Sequence, residues 1–417
     1  MNIPVSALQA PTQDTLDAWL SAPRLAKCGK FFTPSEPMWW PDRASNWAVN
    51  WQAAIVCVAS EWQRWLHAAL AYRMADVSQA TISGVASVLS RSAEAGFNPL
   101  NEDHLTELRE RFNTGEFATL ASFMEFWHTC ESVRQRPWQS LIDAYKGLPR
   151  KKCVQKDVIL SLDPEQGPFT QAEQDALHQW AHEQFCHAKL DPEQYLYLRL
   201  LMIYGQRSVQ LRMLVFDDFI KTDEGYKIRL FWAKQRDDDA GWRAKAETFS
   251  LDEDLYNTVQ AYKAIILARL WQEYPSGADW DKAIKHVPLF RRKLQEVGVG
   301  SFNPPVLIGL PNQKALEDAP KPEFHVRASG VRFWLYRIER MADFPISHCT
   351  HQPLKISRGH RFRHTLGTDL SNAGLDEWSM ANALMHKDTR TARKYRAVSV
   401  ELMNLIDAKM SDHLAIV

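Results

Sequence analysis

The sequence has no C-x-x-C pair and no cysteine-rich stretch. Its 6 cysteines, Cys28, Cys57, Cys130, Cys153, Cys186 and Cys349, are scattered along 417 residues. A chain of this length buries a core without covalent staples, so reduced thiols in a cytoplasmic protein are expected. No apolar run reaches membrane-spanning length, which argues against a membrane partner. The N-terminal MNIPVSALQAPTQDTLDAWL lacks the charged start and apolar run of a signal peptide. An excess of charge is missing too: 50 Lys and Arg balance 50 Asp and Glu, for a formal net charge of 0. The broad basic footprint of many nucleic-acid binders is therefore absent. The balance hides a local excess, because Arg358, Arg361, Arg363, Lys387, Arg390, Arg393, Lys394 and Arg396 crowd one C-terminal stretch. A neutral chain can still carry a basic groove. No internal repeat or low-complexity tract is present.

What is present is a chain with 45% hydrophobic residues, long enough for two domains. Residues 1–45 are punctuated by prolines and read as an N-terminal arm with one helix near Thr15–Leu20. Residues 46–150 are helical throughout: Trp47–Tyr72, Ser78–Ala95 ended by Gly96, Asn101–Phe112 with an Asn cap, Phe117–Arg134 and Trp138–Tyr145. Trp47, Trp51, Trp62 and Trp65 fit helical faces and read as core, with base stacking the rival role. Residues 151–168 form a linker that opens in a basic cluster, Arg150, Lys151 and Lys152.

The remaining domain, 169–417, opens with the capping box Thr170–Glu173. Tyr195–Val215 is an apolar helix broken at Gly205, with Arg207 just beyond. A charge between two apolar runs needs partners. Strands at Tyr226–Trp232 and Ala246–Leu251 flank a loop carrying Lys234 and Asp237–Asp239; Lys245 stands at its far end. Helices follow at Leu255–Tyr274 and Ser329–Met341. Tyr336 lies inside the second helix and reads as packing.

The densest chemistry is in Ser357–Tyr395. His360 and Arg363 lie three apart and share a helical face. Leu384-Met385-His386 is a short turn, and Tyr395 comes nine residues after His386. A guanidinium and imidazoles can hold phosphate oxygens, and a phenol can attack phosphorus.

The H-x-x-R box His360–Arg363, the leucine-x-histidine turn and Tyr395, in this order and spacing, resemble the C-terminal signature of the tyrosine recombinases, or phage integrases. Arg207 after Gly205 matches the first box of that family, with Gln210 where an acid is usual. The resemblance implies a mainly α fold with a small antiparallel β-sheet, and a helical core-binding-like domain at 46–150 preceding the catalytic domain. It implies double-stranded DNA as partner, a homo-tetramer on DNA, and a monomer as an admissible DNA-free form. No cofactor and no metal are implied.

By that resemblance Tyr395 is the nucleophile, forming a 3′-phosphotyrosyl bond and releasing a 5′-hydroxyl. Arg207, Arg363 and His386 would hold the phosphate oxygens. Lys234 would protonate the leaving oxygen, with Lys245 the alternative, and His360 would assist proton transfer at the tyrosine. The product would be DNA integration or excision of a mobile element. Two other outcomes stay open: DNA nicking and relaxation of the type IB topoisomerase kind, and an inactive DNA-binding accessory protein.

Some residues invite rival readings. His178, His182 and Cys186 share a helix face at metal-ligand spacing, and His348, Cys349 and His351 cluster in a loop. Both read as ordinary polar side chains, not zinc ligands. His364 reads as pointing to the opposite side of its helix from His360 or nearly so, either packed in the core or supporting a neighbouring site residue. Val400–Met410 reads as a terminal helix with Leu402, Leu405 and Ile406 in an apolar stripe, docking on its own domain or on a neighbouring protomer.

Overall fold

The computed structural model describes residues 15–41, 48–130, 138–148, 163–232, 245–273, 279–291, 325–357, 359–390 and 392–396. The protein is mainly α with small antiparallel sheets. It divides into two compact units, Met1–Val154 and Gln155–Val417.

The first unit runs α1 (Leu16–Ser21), β1 (Arg24–Leu25), β2 (Phe31–Phe32), α2 (Gln52–Ile55), α3 (Ser60–Arg73), α4 (Gln79–Glu94), α5 (Leu105–Arg111), α6 (Thr114–Thr129) and α7 (Gln139–Gly147). Local chemistry sets several ends. The Ser78 hydroxyl accepts from the Thr81 amide to cap α4, and Asn113 and Glu116 form a reciprocal capping box at α6. The segment read as an arm joins the helical core, to which it contributes Leu16, Trp19, Leu20, Phe32 and Trp39.

The long helix expected over Trp47–Tyr72 is broken into α2 and α3. Val49 exchanges backbone hydrogen bonds with Trp39, and the Trp51 indole donates to the Glu36 carbonyl, so this stretch is held in extended and turn geometry. Trp51 stacks on His67 at 3.6 Å between ring centroids. Trp62 packs edge-on against Trp127 and Trp138, and Trp65 is buried. These tryptophans are core residues. Trp47 lies outside the described residues.

The second unit runs α8 (Gln171–Cys186), α9 (Pro192–Tyr204), α10 (Ser208–Arg212), β3 (Phe219–Thr222), β4 (Gly225–Phe231), β5 (Ala246–Leu251), α11 (Glu253–Glu273), α12 (Trp280–Ala283), α13 (Ala328–Ile338), α14 (His360–Asn372) and α15 (Glu377–Ala383). A helical turn at 392–396 follows. Thr170 and Glu173 form the expected capping box. The sheet is β3-β4-β5, antiparallel throughout, with Phe219 opposite Ile228 and Ile228 opposite Phe249. Strand β3 is among the elements the sequence did not announce, with α12 and α15. At four residues it is too short to show alternation, and it is fixed by pairing with β4.

Helix α9 is buried nearly all round, through Leu196, Leu198, Leu200 and Leu201, and forms the spine of the unit. Helices α8, α10, α11, α13 and α14 pack against it. Among the described residues no helix is long and apolar enough to cross a membrane. The positions of Lys234 and of Val400–Met410 lie outside the described residues.

Candidate active site

The site is built where α14 meets the end of α9. Gly205 terminates α9 in the left-handed region at φ 52°. A Cβ there would sit 3.0 Å from Leu366 Cβ, 3.1 Å from Arg363 Cα and 3.1 Å from the Phe362 carbonyl oxygen. Only a glycine gives both the turn and this approach. The approach brings Arg207, the N-cap residue of α10, beside Arg363.

Arg363 is buried and well held. Its Nη1 donates to the Gly205 carbonyl at 3.3 Å and to Gln206 Oε1 at 3.3 Å, and its Nη2 donates to the Leu384 carbonyl. Gln206 in turn donates through Nε2 to the Ala383 carbonyl at 2.8 Å. These bonds tie α14, the α9 turn and the end of α15 into one frame. Burial first, and then the neighbouring Arg207 charge, push the Arg363 guanidinium down to about 9 from 12.5; an ionised Tyr395 phenol acts the other way. Burial likewise lowers Arg207, again opposed by Tyr395. Two partly desolvated guanidinium groups that repel one another favour an anion beside them.

Gln210, where an acid was the usual residue, fits its surroundings as an amide. Its Oε1 accepts from the Arg207 amide at 3.1 Å, while its Nε2 donates to the Phe231 carbonyl at 2.8 Å and to Met385 Sδ at 3.0 Å. A carboxylate could not make the two donations.

The turn that presents His386 closes α15 in a Schellman motif. The His386 amide donates to the Ala381 carbonyl, and the Met385 amide to that of Asn382. Met385 takes the left-handed position at φ 50°, where glycine is the favoured residue. Its side chain is buried in the core of the unit. His386 is buried directly after it.

Tyr395 comes back from the turn at 392–396. Ala392 packs with Met380 and Ala381, and Arg393 Nε donates to Glu377 Oε2 at 2.9 Å. The Tyr395 ring is buried against α14, packed with Leu366 and Leu384. Its hydroxyl lies 3.2 Å from His364 Nδ1. Space for the ring comes from Gly367, where an added Cβ would lie 2.6 Å from Tyr395 Cζ.

His364 was expected to point away from His360. Residues four apart on a helix are only about 40° apart around its axis, so the two share a face. Their ring centroids are 6.4 Å apart. His360 is exposed at the start of α14, and the ring in contact with the phenol is that of His364.

Helix α14 is anchored at its other side. Arg361 is buried, donating through Nε to the Gly167 carbonyl at 3.0 Å and through Nη2 to Glu173 Oε2 at 3.2 Å, and covers the Phe169 ring at 3.9 Å. The Thr365 hydroxyl accepts from the Phe169 amide at 2.9 Å. Sequence reasoning counted Arg361 only as local basic charge.

Among the sequence-derived candidates, then, Arg207, Arg363 and Tyr395 are brought together. His386 sits on the turn whose Leu384 carbonyl binds Arg363, and His360 stands one helical turn before His364. Lys234 lies outside the described residues, while Lys245 Nζ lies 4.3 Å from the centre of the Trp232 ring. Among the described residues no three His, Cys, Asp or Glu side chains are grouped to hold a metal ion. Cys186 and His182 pair at 3.6 Å.

Helix α13 exposes a basic and aromatic face in the same unit: Arg332, Phe333, Tyr336 and Arg337, followed by Arg340. Arg340 stacks 3.8 Å over the Tyr336 ring. The expected packing role for Tyr336 gives way to an exposed one.

No family model matches the sequence, and no curated protein matches it. Solved structures do resemble it. The Tn1549 transposon integrase in complex with transposon right-end DNA is 13% identical, covering 79% of this chain and 95% of that chain, with a TM-score of 0.41. The XerH site-specific recombinase bound to its difH substrate is 14% identical, covering 83% and 91%, at 0.44. The XerA recombinase is 13% identical, covering 79% and 93%, at 0.32. Superpositions this loose leave the function to be argued from the site.

Proposed function

We propose that the protein is a tyrosine recombinase that cleaves and rejoins double-stranded DNA through a 3′-phosphotyrosyl intermediate, integrating or excising a mobile element. The observation that carries this reading is the burial of one phenol beside two mutually repelling guanidinium groups, Arg207 and Arg363. That combination supplies an anion pocket and a nucleophile at one point.

In the proposed reaction the Tyr395 oxygen attacks the scissile phosphorus and the bond to the 5′-oxygen breaks. Arg207 and Arg363, with His386, hold the non-bridging oxygens and stabilise the charge that develops on them. Lys234 supplies the proton that the leaving 5′-oxygen takes up. A free phenol ionises near about 10, so the two cations must favour its ionised form as it attacks. The phosphotyrosyl ester conserves the bond energy, so rejoining is the reverse attack by a 5′-hydroxyl and needs no nucleotide cofactor.

Exchange between two duplexes requires four such tyrosines, hence a homo-tetramer on DNA. The exposed arginines and aromatics of α13 suit contact with the duplex backbone, and the helical first unit is proposed to bind DNA as well.

The test is incubation with a pool of nicked duplexes of randomised sequence, which trap a covalent adduct by losing the strand needed for rejoining. The expected result is protein-linked DNA whose linkage maps to Tyr395. Absence of an adduct, or linkage to Tyr336, would refute the proposal.

A further inference from the structure

We propose that His364 is the residue that takes the proton of Tyr395 as the phenol attacks. This deepens the phosphotyrosyl reading and rests on it. His364 Nδ1 lies 3.2 Å from the Tyr395 hydroxyl, within reach for a proton transfer to a ring nitrogen. The contact is enforced from several sides. Gly367, one residue short of the next helical turn, leaves the gap that the phenol end of the ring fills. Leu366 and Leu384 pack the ring. His364 itself is carried by a helix pinned through Arg361 and Thr365 on one side and Arg363 on the other.

The step balances simply. The Tyr395 O–H bond breaks and its proton moves to His364 Nδ1. The phenolate oxygen forms the bond to phosphorus, the bond from phosphorus to the 5′-oxygen breaks, and that oxygen takes up a proton as in the proposed reaction above. In rejoining, the 5′-hydroxyl gives that proton back as its oxygen attacks, the phosphotyrosyl bond breaks, and the phenolate recovers its own proton from His364. The charged and titratable groups around this pair include Arg207 at the start of α10, and Arg363 and His360 on α14 itself. The two arginines favour the phenolate. His360 is exposed one turn away, its ring centroid 6.4 Å from that of His364.

The experiment uses the full chain and the nicked duplex pool of randomised sequence, with single-turnover adduct formation as readout. His364→Asn places an amide oxygen near the Nδ1 position, so it can keep a hydrogen bond to the phenol but cannot accept the proton. Loss of a general base is expected to slow adduct formation by about 10²–10⁴-fold. DNA binding and thermal midpoint, measured in parallel, are expected to stay close to those of the wild-type chain. A fluorinated tyrosine with a more acidic phenol at position 395 should restore most of the rate in His364→Asn, and should change the wild-type rate far less.

Adduct formation by His364→Asn at nearly the wild-type rate would overturn the proposal. A slow variant that the acidic phenol does not rescue would also overturn it, leaving His364 with a purely positioning role. If the wild-type chain itself forms no adduct, the phosphotyrosyl reading fails and this inference falls with it. An adduct from wild type with an unaffected His364→Asn sinks this inference alone.

Discussion

The Cβ position of Gly367 lies 2.6 Å from Cζ of Tyr395, and 2.7 Å from both ring carbons beside it. The hydroxyl end of the phenol thus occupies the volume of the side chain that Gly367 lacks. Gly367→Ala must displace the phenol, because real Cβ contacts are never this short. Adduct formation should fall by two orders of magnitude or more, since roughly 1 Å of misplacement of a reacting group can cost about 10²-fold. DNA binding, measured by gel shift on the same duplex pool, should be unchanged. An unimpaired Gly367→Ala variant would show that Tyr395 reacts from a different position.

The paired arginines predict an anion effect with a definite sign. Arg363 is pushed down to about 9 in the folded chain, chiefly by burial and then by Arg207, from 12.5. Its native charge is therefore a cost that is present in full below about 9 and is relieved as pH rises from there towards 12.5. Sulfate or phosphate bound between the arginines offsets that cost. At neutral pH either anion should raise the thermal midpoint, by about 2.7 kcal/mol of stability at a hundred times its dissociation constant. In Arg207→Ala the increment should shrink, because one arm of the pocket is gone. Differential scanning calorimetry across an anion titration reads both.

The same two arginines should respond differently to lysine. Arg207→Lys removes a fork without breaking the bonds that frame Arg363, so it should lower activity and leave stability nearly intact. Arg363→Lys also abandons the Gly205, Gln206 and Leu384 acceptors in a buried setting. A loss of about 1–3 kcal/mol is expected from the unsatisfied groups. Urea denaturation separates the two variants, and equal midpoints would contradict the frame described for Arg363.

Met385 sets backbone strain against packing. A non-glycine residue in the left-handed region costs roughly 1–2 kcal/mol, while removing a buried Met side chain costs about 2–5 kcal/mol. Met385→Gly should therefore be net destabilising, by up to about 4 kcal/mol. A stabilised variant would mean that the Met385 side chain contributes little to the core.

The α13 face can be tested through salt. Arg337→Ala and Arg340→Ala should each weaken binding to duplexes of any sequence, and each lost phosphate contact should reduce the salt slope by about 1. Sequence-selective loss without a change in slope would assign these arginines to base edges instead.

Much of the site was legible because its chemistry is local in sequence. The H-x-x-R spacing follows from one helical turn, and the Thr170–Glu173 box from a capping rule. Gly205 marked the helix end that carries Arg207. What escaped depended on distance or on the wrong geometry. His364 required counting four residues along a helix from His360, and was set on the opposite face. Gly367 has meaning only once Tyr395 folds back over it, 28 positions later in the sequence. Gln210 looked like a defect because its acceptors, the Phe231 carbonyl and Met385 sulfur, lie on other elements. Strand β3 is defined by its partner and not by its own residues.

The clamp on Arg361 has a consequence for how the protein is made. Its partners at Gly167 and Glu173 precede it by 194 and 188 residues, and Phe169 precedes Thr365 by 196. During synthesis these groups leave the ribosome long before the helix that receives them. Contacts so distant in sequence close late, because the loop entropy must be met before they form. No nascent fragment ending short of α14 can therefore assemble the phenol and the two arginines together. Under the proposed function, the capacity to break DNA would arise only after α14 and Tyr395 have been made.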